Sequence, residues 1–236
     1  MTSTRSIAAR AGIVAALFSP QCDSAALSLE SGGTRIHAQV LSLQDIRQHH
    51  LVRQGWDTSC GAAALSTLLT HYFKNPASEA SIVITILHNS DPERVRARKG
   101  FSLLDLKRYA EAVGFEAKGY GSLSLQDLLD FKVPSILPVK IRNYDHFVVF
   151  RGVAADRVAL GDPAFGNITL TMAQFEDIWK SRIGFVVTRP GGLPNDENLL
   201  TLETLELMVP NLNAIMRSAG RTEVVPALSH PPLPLR

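Results

Sequence analysis

The sequence predicts an α+β domain in which helices come first and an antiparallel sheet follows. Apolar residues recur at helical spacing between residues 60 and 131, whereas branched and aromatic residues dominate short segments between residues 134 and 188. Helices followed by strands, rather than alternating with them, are the order expected of an α+β fold. The chain has 236 residues, 45% of them hydrophobic, so one well-packed domain with additional segments fits its length.

The first 26 residues have the pattern of a secretory signal peptide. Two arginines precede an apolar run at residues 11–18, and small residues at 24–26 offer a cleavage site. A signal peptide would direct the protein to export, to the periplasm or beyond, and would then be removed. The alternative is a tail on a cytoplasmic protein. Cleavage would also remove Cys22, leaving Cys60 as the only cysteine and excluding an internal disulfide.

An N-terminal extension and then a helical segment follow the signal peptide. Residues 27–50 form the extension, in which the alternation at 35–40 predicts a strand. The first helix is expected to begin after Thr58 or Ser59, and a later one after Ser102, because these residues are good N-caps. The charged segment 91–99 is expected to be a solvated loop. The helices are predicted at residues 60–72, 79–87, 103–113 and 124–131.

The second half of the domain reads as a sheet. A compact hairpin turn is expected at residues 154–156, and a helix at 172–179 interrupts the strands. The domain is expected to span residues 51–190, followed by a C-terminal extension, 191–236, whose proline-rich end predicts disorder. The strands are predicted at residues 136–141, 146–153, 157–160, 168–170 and 184–188.

Composition argues against several classes of function. Basic and acidic residues number 24 and 22, so there is no basic surplus of the kind that nucleic-acid binding requires. No apolar run reaches the roughly 18–20 residues of a membrane-spanning helix. His49 and His50 are adjacent, but neighbouring side chains are expected to diverge, and no cysteine or carboxylate spacing completes a metal site. We therefore expect neither a metal nor another cofactor.

Cys60 is a candidate nucleophile because it lies where a helix is predicted to begin. Unpaired backbone N–H groups and the positive end of the helix dipole favour a thiolate there. The Cys60 N–H and the amide of Gln54, six residues upstream, are candidate oxyanion donors, and Gly61 is expected to let a substrate backbone approach. The alternative is a small apolar side chain buried at the helix start.

His146 is the candidate base and Asp162 the candidate group that orients it. His146 opens an apolar strand, and the chain returns through a hairpin to Asp162 at the same end. Antiparallel pairing about the expected turn brings the two residues within about one pleat of each other. A carboxylate there can hold the imidazole tautomer and stabilise its charged form. The alternatives are a turn-forming Asp-Pro pair and a strand-end histidine bonded to the backbone.

These motifs resemble the papain-like cysteine peptidases that process bacteriocins at double-glycine leaders. The resemblance runs from about Val52 to Val187. Within that family, the chain is most similar to the stand-alone exported form found beside bacterial surface-fibre and functional-amyloid secretion systems. It implies that Cys60 is the nucleophile, His146 the base, Asp162 the orienting group and Gln54 the oxyanion donor. The matching segments are Gln54, Cys60-Gly61, Gly100-Phe101-Ser102-Leu103, His146-Phe147-Val148-Val149, Gly161-Asp162-Pro163 and the tryptophans Trp56 and Trp179.

The resemblance implies a papain-like fold and a cysteine endopeptidase that cleaves a secreted or fibre-associated bacterial protein, with a double glycine as the candidate cleavage motif. The expected partners are a peptide or protein substrate and a secretion or fibre-assembly component. Two alternatives stay open. One is a catalytically silent accessory that binds such a partner, and the other is a thiol acyltransferase that uses the same three residues.

Overall fold

The computed structural model describes residues 25–31, 34–40, 42–154 and 156–191. The chain divides into two compact units, one up to Leu41 and one from Ser42 onwards. In the first unit, strands β1 (Ala25–Ser31) and β2 (Thr34–Val40) form an antiparallel hairpin, which includes the strand expected at 35–40. Most of the predicted signal peptide, including Cys22, and the C-terminal extension from residue 192 lie outside the described residues.

The second unit contains helices and a six-stranded sheet, which confirms the predicted α+β class. In the described ranges, every helix is too short or too polar to span a bilayer. The helices are α1 (Leu43–Gln48), α2 (Cys60–Thr67) with a π-helical continuation (Leu68–Tyr72), α3 (Glu79–Asn89), α4 (Pro92–Arg98), α5 (Leu103–Ala112), α6 (Leu125–Asp130) and α7 (Met172–Ile178). The strands are β3 (Glu116–Tyr120), β4 (Ser135–Ile141), β5 (Tyr144–Ala154), β6 (Arg157–Asp162), β7 (Gly166–Thr171) and β8 (Gly184–Thr188).

Polar side chains at the helix starts explain why most helices begin where predicted. Ser102 caps α5 by accepting the backbone N–H of Asp105, whose carboxylate in turn accepts the Ser102 N–H at 2.8 Å. The same reciprocal box begins α6, at Ser124 and Asp127. Each box satisfies N–H groups that the first helical turn leaves unpaired.

The prediction of a loop at residues 91–99 is wrong, because α4 occupies most of this segment. Asp91 accepts the Glu93 N–H at 3.0 Å, and a proline in the first turn suits the start of a helix. Lys99 ends the helix in the left-handed conformation, with φ of 56°. Specific start and stop residues therefore outweigh the repulsion among the arginines of this segment.

The sheet has the order β3-β8-β4-β5-β6-β7, and every neighbouring pair is antiparallel. Strand β3 was not predicted, because its sequence, EAKGY, lacks branched residues and buries only Ala117. Pairing of Ala117 with Val187 places β3 at one edge of the sheet, beside the strongly apolar β8. Tertiary pairing thus overrides a weak local preference for strand.

A bulge interrupts the hairpin formed by β5 and β6. The register shifts by one residue between Phe150 and Gly152, which leaves Arg151 as the extra residue. Gly152 has φ of 139°, a value that side-chain-bearing residues rarely adopt. Beyond the bulge, Val149 pairs with Gly161.

Helix α2 packs closely against β5 because Gly61 has no side chain. A Cβ atom at Gly61 would lie 3.2 Å from the Phe147 ring and 3.3 Å from Leu106. The expectation that Gly61 admits a substrate backbone is therefore wrong, since neighbouring side chains fill that space. Its absent side chain instead lets the helix that begins at Cys60 approach the strand that carries His146.

Candidate active site

Cys60 is the first residue of α2, a free thiol that is 7% exposed. Ser59 occupies the N-cap position, as expected, but its side chain makes no capping hydrogen bond. The hydroxyl turns away to Trp56 and Glu79 instead. The positive end of the helix dipole at Cys60 is therefore not neutralised by a side-chain cap and favours an anion at this position.

His146 and Asp162 are in direct contact in the buried end of the β5–β6 hairpin. His146 Nε2 lies 2.8 Å from Asp162 Oδ1, with 4% of His146 and none of Asp162 exposed. The same carboxylate oxygen accepts the backbone N–H groups of Ala164 at 2.8 Å and Phe165 at 3.1 Å. The backbone of the turn that follows Asp162 thus holds its carboxylate in place, and the carboxylate holds the imidazole ring of His146.

The environment of His146 favours its protonated form. Burial acts to lower the pKa of His146, but the charge and hydrogen bond of Asp162, together with Cys60, outweigh it and raise that pKa to about 10. The second ring nitrogen, Nδ1, is buried and has no hydrogen-bonding partner among the described residues. Asp162 therefore occupies Nε2 and leaves Nδ1 as the ring nitrogen available to the thiol side.

Gln54 lies in the loop before α2 and is attached to the turn that holds Asp162. Its backbone N–H donates to the Pro163 carbonyl oxygen at 3.0 Å, and its side-chain Nε2 donates to the Trp56 carbonyl oxygen at 3.2 Å. An amide nitrogen carries two protons, so one remains for a second acceptor. The structure thus brings the four predicted residues to the meeting point of α2 and the hairpin.

Glu79 belongs to this region, although the sequence did not indicate it. Its carboxylate accepts the Gly55 N–H, with both oxygens at 2.9 Å, and the hydroxyl of Ser59. Burial raises the pKa of Glu79, while these hydrogen bonds act in the opposite direction. Glu79 starts α3, some 20 residues after Ser59, and no local pattern signals a contact between them.

Tyr144 connects the two walls of the site. Its hydroxyl donates to the Asp57 carbonyl oxygen at 2.9 Å, and its ring centroid lies 6.2 Å from that of His146. Burial, and then the negative charges of Cys60 and Asp57, raise the pKa of Tyr144. No sequence pattern singles out Tyr144, because a tyrosine at the start of a strand is ordinary unless the residues that face it are known.

Cys60 and His146 line a cleft of about 590 Å³. Two further segments line it too: the end of α4, through Arg98 and Lys99, and the end of α7, through Ile178. Arg98 and Lys99 belong to the run that was interpreted as a solvated loop. The lining of the cleft therefore includes cationic side chains, of which Arg98 forms an ion pair with Asp105 at 3.8 Å.

The histidines outside this cleft form a different arrangement from the expected one. The rings of His49 and His50 do not diverge but lie 3.7 Å apart, because His50 adopts a left-handed backbone with φ of 52°. Burial, together with the charges of His50, Arg151 and His49, lowers the pKa of His71 to about 4. Among the described residues, no three of His, Cys, Asp and Glu are arranged to hold a metal ion.

Comparisons with known proteins show the family to which this chain belongs. The model of the peptidase C39 family matches residues 48–190. The probable functional amyloid protease of Pseudomonas aeruginosa is 38% identical over 66% of this chain and 68% of its own, and that of Pseudomonas fluorescens is 40% identical over 70% and 72%. The crystal structure of the peptidase domain of Streptococcus ComA, a bifunctional ABC transporter involved in quorum sensing, has 22% identity and a TM-score of 0.49, covering 59% of this chain and 97% of that domain. On the strength of the family match and the two Pseudomonas relatives, the chain belongs to the peptidase C39 family and is a cysteine peptidase.

Proposed function

We propose that this cysteine peptidase uses Cys60 as its nucleophile, His146 as its general base and acid, Asp162 to orient His146, and Gln54 to bind the oxyanion. The observation that carries the proposal is the buried His146–Asp162 pair, with Nε2 and Oδ1 2.8 Å apart, beside the thiol that begins α2. A nucleophile, a base and a group that orients the base are the parts that thiol catalysis requires.

The chemistry follows from this arrangement. The proton of Cys60 resides on His146 Nδ1, and the thiolate of this ion pair attacks the carbonyl carbon of the scissile bond. The developing oxyanion accepts hydrogen bonds from the Cys60 N–H and the Gln54 amide. The His146 imidazolium then protonates the leaving amine, and a water molecule, deprotonated by the same imidazole, hydrolyses the acyl-enzyme. Asp162 stabilises the imidazolium in each step that forms it.

The proposed substrate is an exported, fibre-associated protein that is cleaved after a double glycine. The two Pseudomonas relatives are described as probable functional amyloid proteases, which supports a substrate of that class. The signal-peptide pattern of residues 1–26 supports the same compartment for the enzyme. Two glycines before the scissile bond have little side-chain bulk, so an extended peptide can lie close to the buried thiol of Cys60.

Substitution of Cys60 by alanine tests this function. We expect the wild-type protein to release a fluorogenic group from a peptide that ends in Gly-Gly, and Cys60→Ala to release none while it keeps the wild-type circular-dichroism spectrum. Thr58→Ala, in the exposed residue two positions upstream, is the matched control and should keep full activity. Activity that survives in Cys60→Ala would refute the assignment of the nucleophile.

The mass of the products separates hydrolysis from the acyl transfer that was left open. Hydrolysis produces two fragments that together gain the mass of one water, whereas acyl transfer joins one fragment to an added amine. Family membership favours hydrolysis, and also favours a catalytic protein over a silent accessory. A joined product as the main species, with amine and water both present, would overturn the peptidase proposal.

A further inference from the structure

Glu79 is a buried carboxylate to which the proposed reaction gives no role. It is the first residue of α3 and 8% exposed, and its side chain reaches the loop of residues 54–59 that leads to Cys60. Both of its oxygens accept the Gly55 N–H at 2.9 Å, and Oε1 accepts the hydroxyl of Ser59. The hydrogen bonds that hold this carboxylate in place thus come from the loop that carries Gln54.

Hydrogen bonds continue from Glu79 to the side chain of Gln54. Ser59 Oγ accepts the Trp56 N–H at 3.2 Å and lies 2.7 Å from the Trp56 carbonyl oxygen. The same carbonyl oxygen accepts from Gln54 Nε2 at 3.2 Å. Glu79 is therefore linked to the Gln54 amide by two routes, one through Ser59 and Trp56 and one through the backbone of Gly55.

We infer that Glu79 is a positioning residue, which holds the Gln54 amide where the oxyanion forms. The inference rests on the proposed function, since it assumes that Gln54 is an oxyanion donor. Gln54 is also held from the opposite side, where its N–H donates to Pro163 at 3.0 Å. Removal of Glu79 leaves only that side fixed, and the Gly55 N–H and the Ser59 hydroxyl must find other partners.

Two substitutions at Glu79 test the inference. Glu79→Leu keeps the approximate size of the side chain but removes every acceptor, so we expect kcat on the Gly-Gly fluorogenic peptide to fall about 10- to 100-fold with KM changed less than about threefold. In Glu79→Gln, the amide oxygen can accept from Gly55 while the amide nitrogen donates to Ser59 Oγ. The kcat of Glu79→Gln should therefore stay within about threefold of the wild-type value.

Alkylation of Cys60 by iodoacetamide separates positioning of Gln54 from general damage. That reaction forms no oxyanion, so Glu79→Leu should alkylate at the wild-type rate although it hydrolyses peptide slowly. In a Gln54→Ala background, Glu79→Leu should lower kcat no further, because its route of action is already absent. Ser59→Ala, which breaks one of the two routes, should show the same pattern with a smaller fall and serves if Glu79→Leu does not fold.

Asp127→Leu is the matched control. Asp127 accepts one backbone N–H and one serine hydroxyl, both from Ser124, as Glu79 does from its loop, but it lies in α6. Its loss should lower the melting temperature and leave kcat unchanged. Equal losses of alkylation and hydrolysis in Glu79→Leu, or full additivity with Gln54→Ala, would overturn the inference. Survival of activity in Cys60→Ala would instead refute the proposed function itself.

Discussion

At the scale of single residues, the charge of Asp162 determines the protonation state of His146. The raised pKa of His146, about 10 against an ordinary 6.5, means that the imidazolium persists until the pH rises through about 10. In the proposed mechanism, an imidazolium next to Cys60 stabilises the thiolate, so this ion pair is lost on the alkaline side when His146 deprotonates. The alkaline limit of activity should therefore report on the pKa of His146.

We predict that Asp162→Asn moves the alkaline limb of the pH profile of kcat/KM to lower pH, by about one unit or more. Asparagine keeps an oxygen that can accept from His146 Nε2, Ala164 and Phe165, and only the negative charge is lost. The measurement is kcat/KM on the Gly-Gly peptide between pH 5 and about 10.5 for both proteins.

Asp145→Asn is the control for this change. Asp145 is an exposed neighbour of His146 in sequence and pairs with Lys140 at 3.5 Å, so its neutralisation should leave the alkaline limb within experimental error. An alkaline limb that stays in place in Asp162→Asn would show that Asp162 does not hold His146 in its protonated form.

At the scale of elements, the sequence predicted most helices and strands because each carries its own local signal. Ser102 and Ser124, with their capping boxes, mark the starts of α5 and α6, and a high density of branched residues indicates β4 to β6. Strand β3 carries no such signal and depends on its neighbour β8. Helix α4 was not predicted, because its run of like charges favours a solvated loop whereas only Asp91-Pro92 favours the start of a helix.

The same distinction explains which residues of the site were predictable. Cys60 and Asp162 lie at element boundaries that can be located from the sequence, and His146 lies two residues after the start of β5. One hairpin relates His146 to Asp162. Glu79 and Tyr144 contact the loop of residues 54–59 from elements whose positions only the folded chain defines. Long-range pairing of this kind leaves no periodic trace in the sequence.

Helix α1 is joined to the sheet through a glycine of β7, which gives a prediction for Gly166→Ala. Gly166 has φ of 90°, and a Cβ atom there would lie 2.5 Å from the Arg47 carbonyl oxygen. The substitution should lower the free energy of unfolding by about 2 kcal/mol or more, because backbone strain and a steric clash add. Urea denaturation followed by circular dichroism measures this change.

Gly119→Ala in β3 provides the comparison for that experiment. A Cβ atom at Gly119 would meet nothing within 4 Å, and its backbone is not in the left-handed region. Its free energy of unfolding should stay within about 0.5 kcal/mol of wild type. Equal stabilities of the two variants would contradict the close approach of α1 and β7.

At the scale of the whole molecule, the near-neutral net charge of +2 is matched in the cleft, where most of the cationic side chains are paired with carboxylates. Four cations and one carboxylate, Asp145, line the cleft, but three of the cations form ion pairs: Arg98 with Asp105, Lys140 with Asp145 and Lys180 with Asp177. Lys99 forms no ion pair with a described residue, so it can attract an acidic segment of a peptide, and this attraction weakens with salt. The cationic residues are Arg98, Lys99, Lys140 and Lys180.

We predict that Lys99→Glu raises KM about threefold for a Gly-Gly peptide with acidic flanking residues, with kcat unchanged. The effect should shrink as sodium chloride increases, because exposed charges are screened. Lys118→Glu makes the same change of charge on β3, outside the cleft lining, and should leave KM unaltered. A KM that rises equally in both variants would show that only net charge matters.

The bulge at Arg151 has a consequence for how this hairpin tolerates change. Side chains alternate between the two faces of a strand, and directly paired residues share a face. Asp162 therefore faces the same side as His146 only if its partner on β5 is an even number of residues from His146. Pairing at the tip of the hairpin, carried on without interruption, would point Asp162 and His146 to opposite faces; the one-residue shift restores the match. The contact between Asp162 and His146 thus depends on Gly152, which lies several residues away from both. A side chain at position 152 that removed the bulge would separate Asp162 from His146 without contacting either residue.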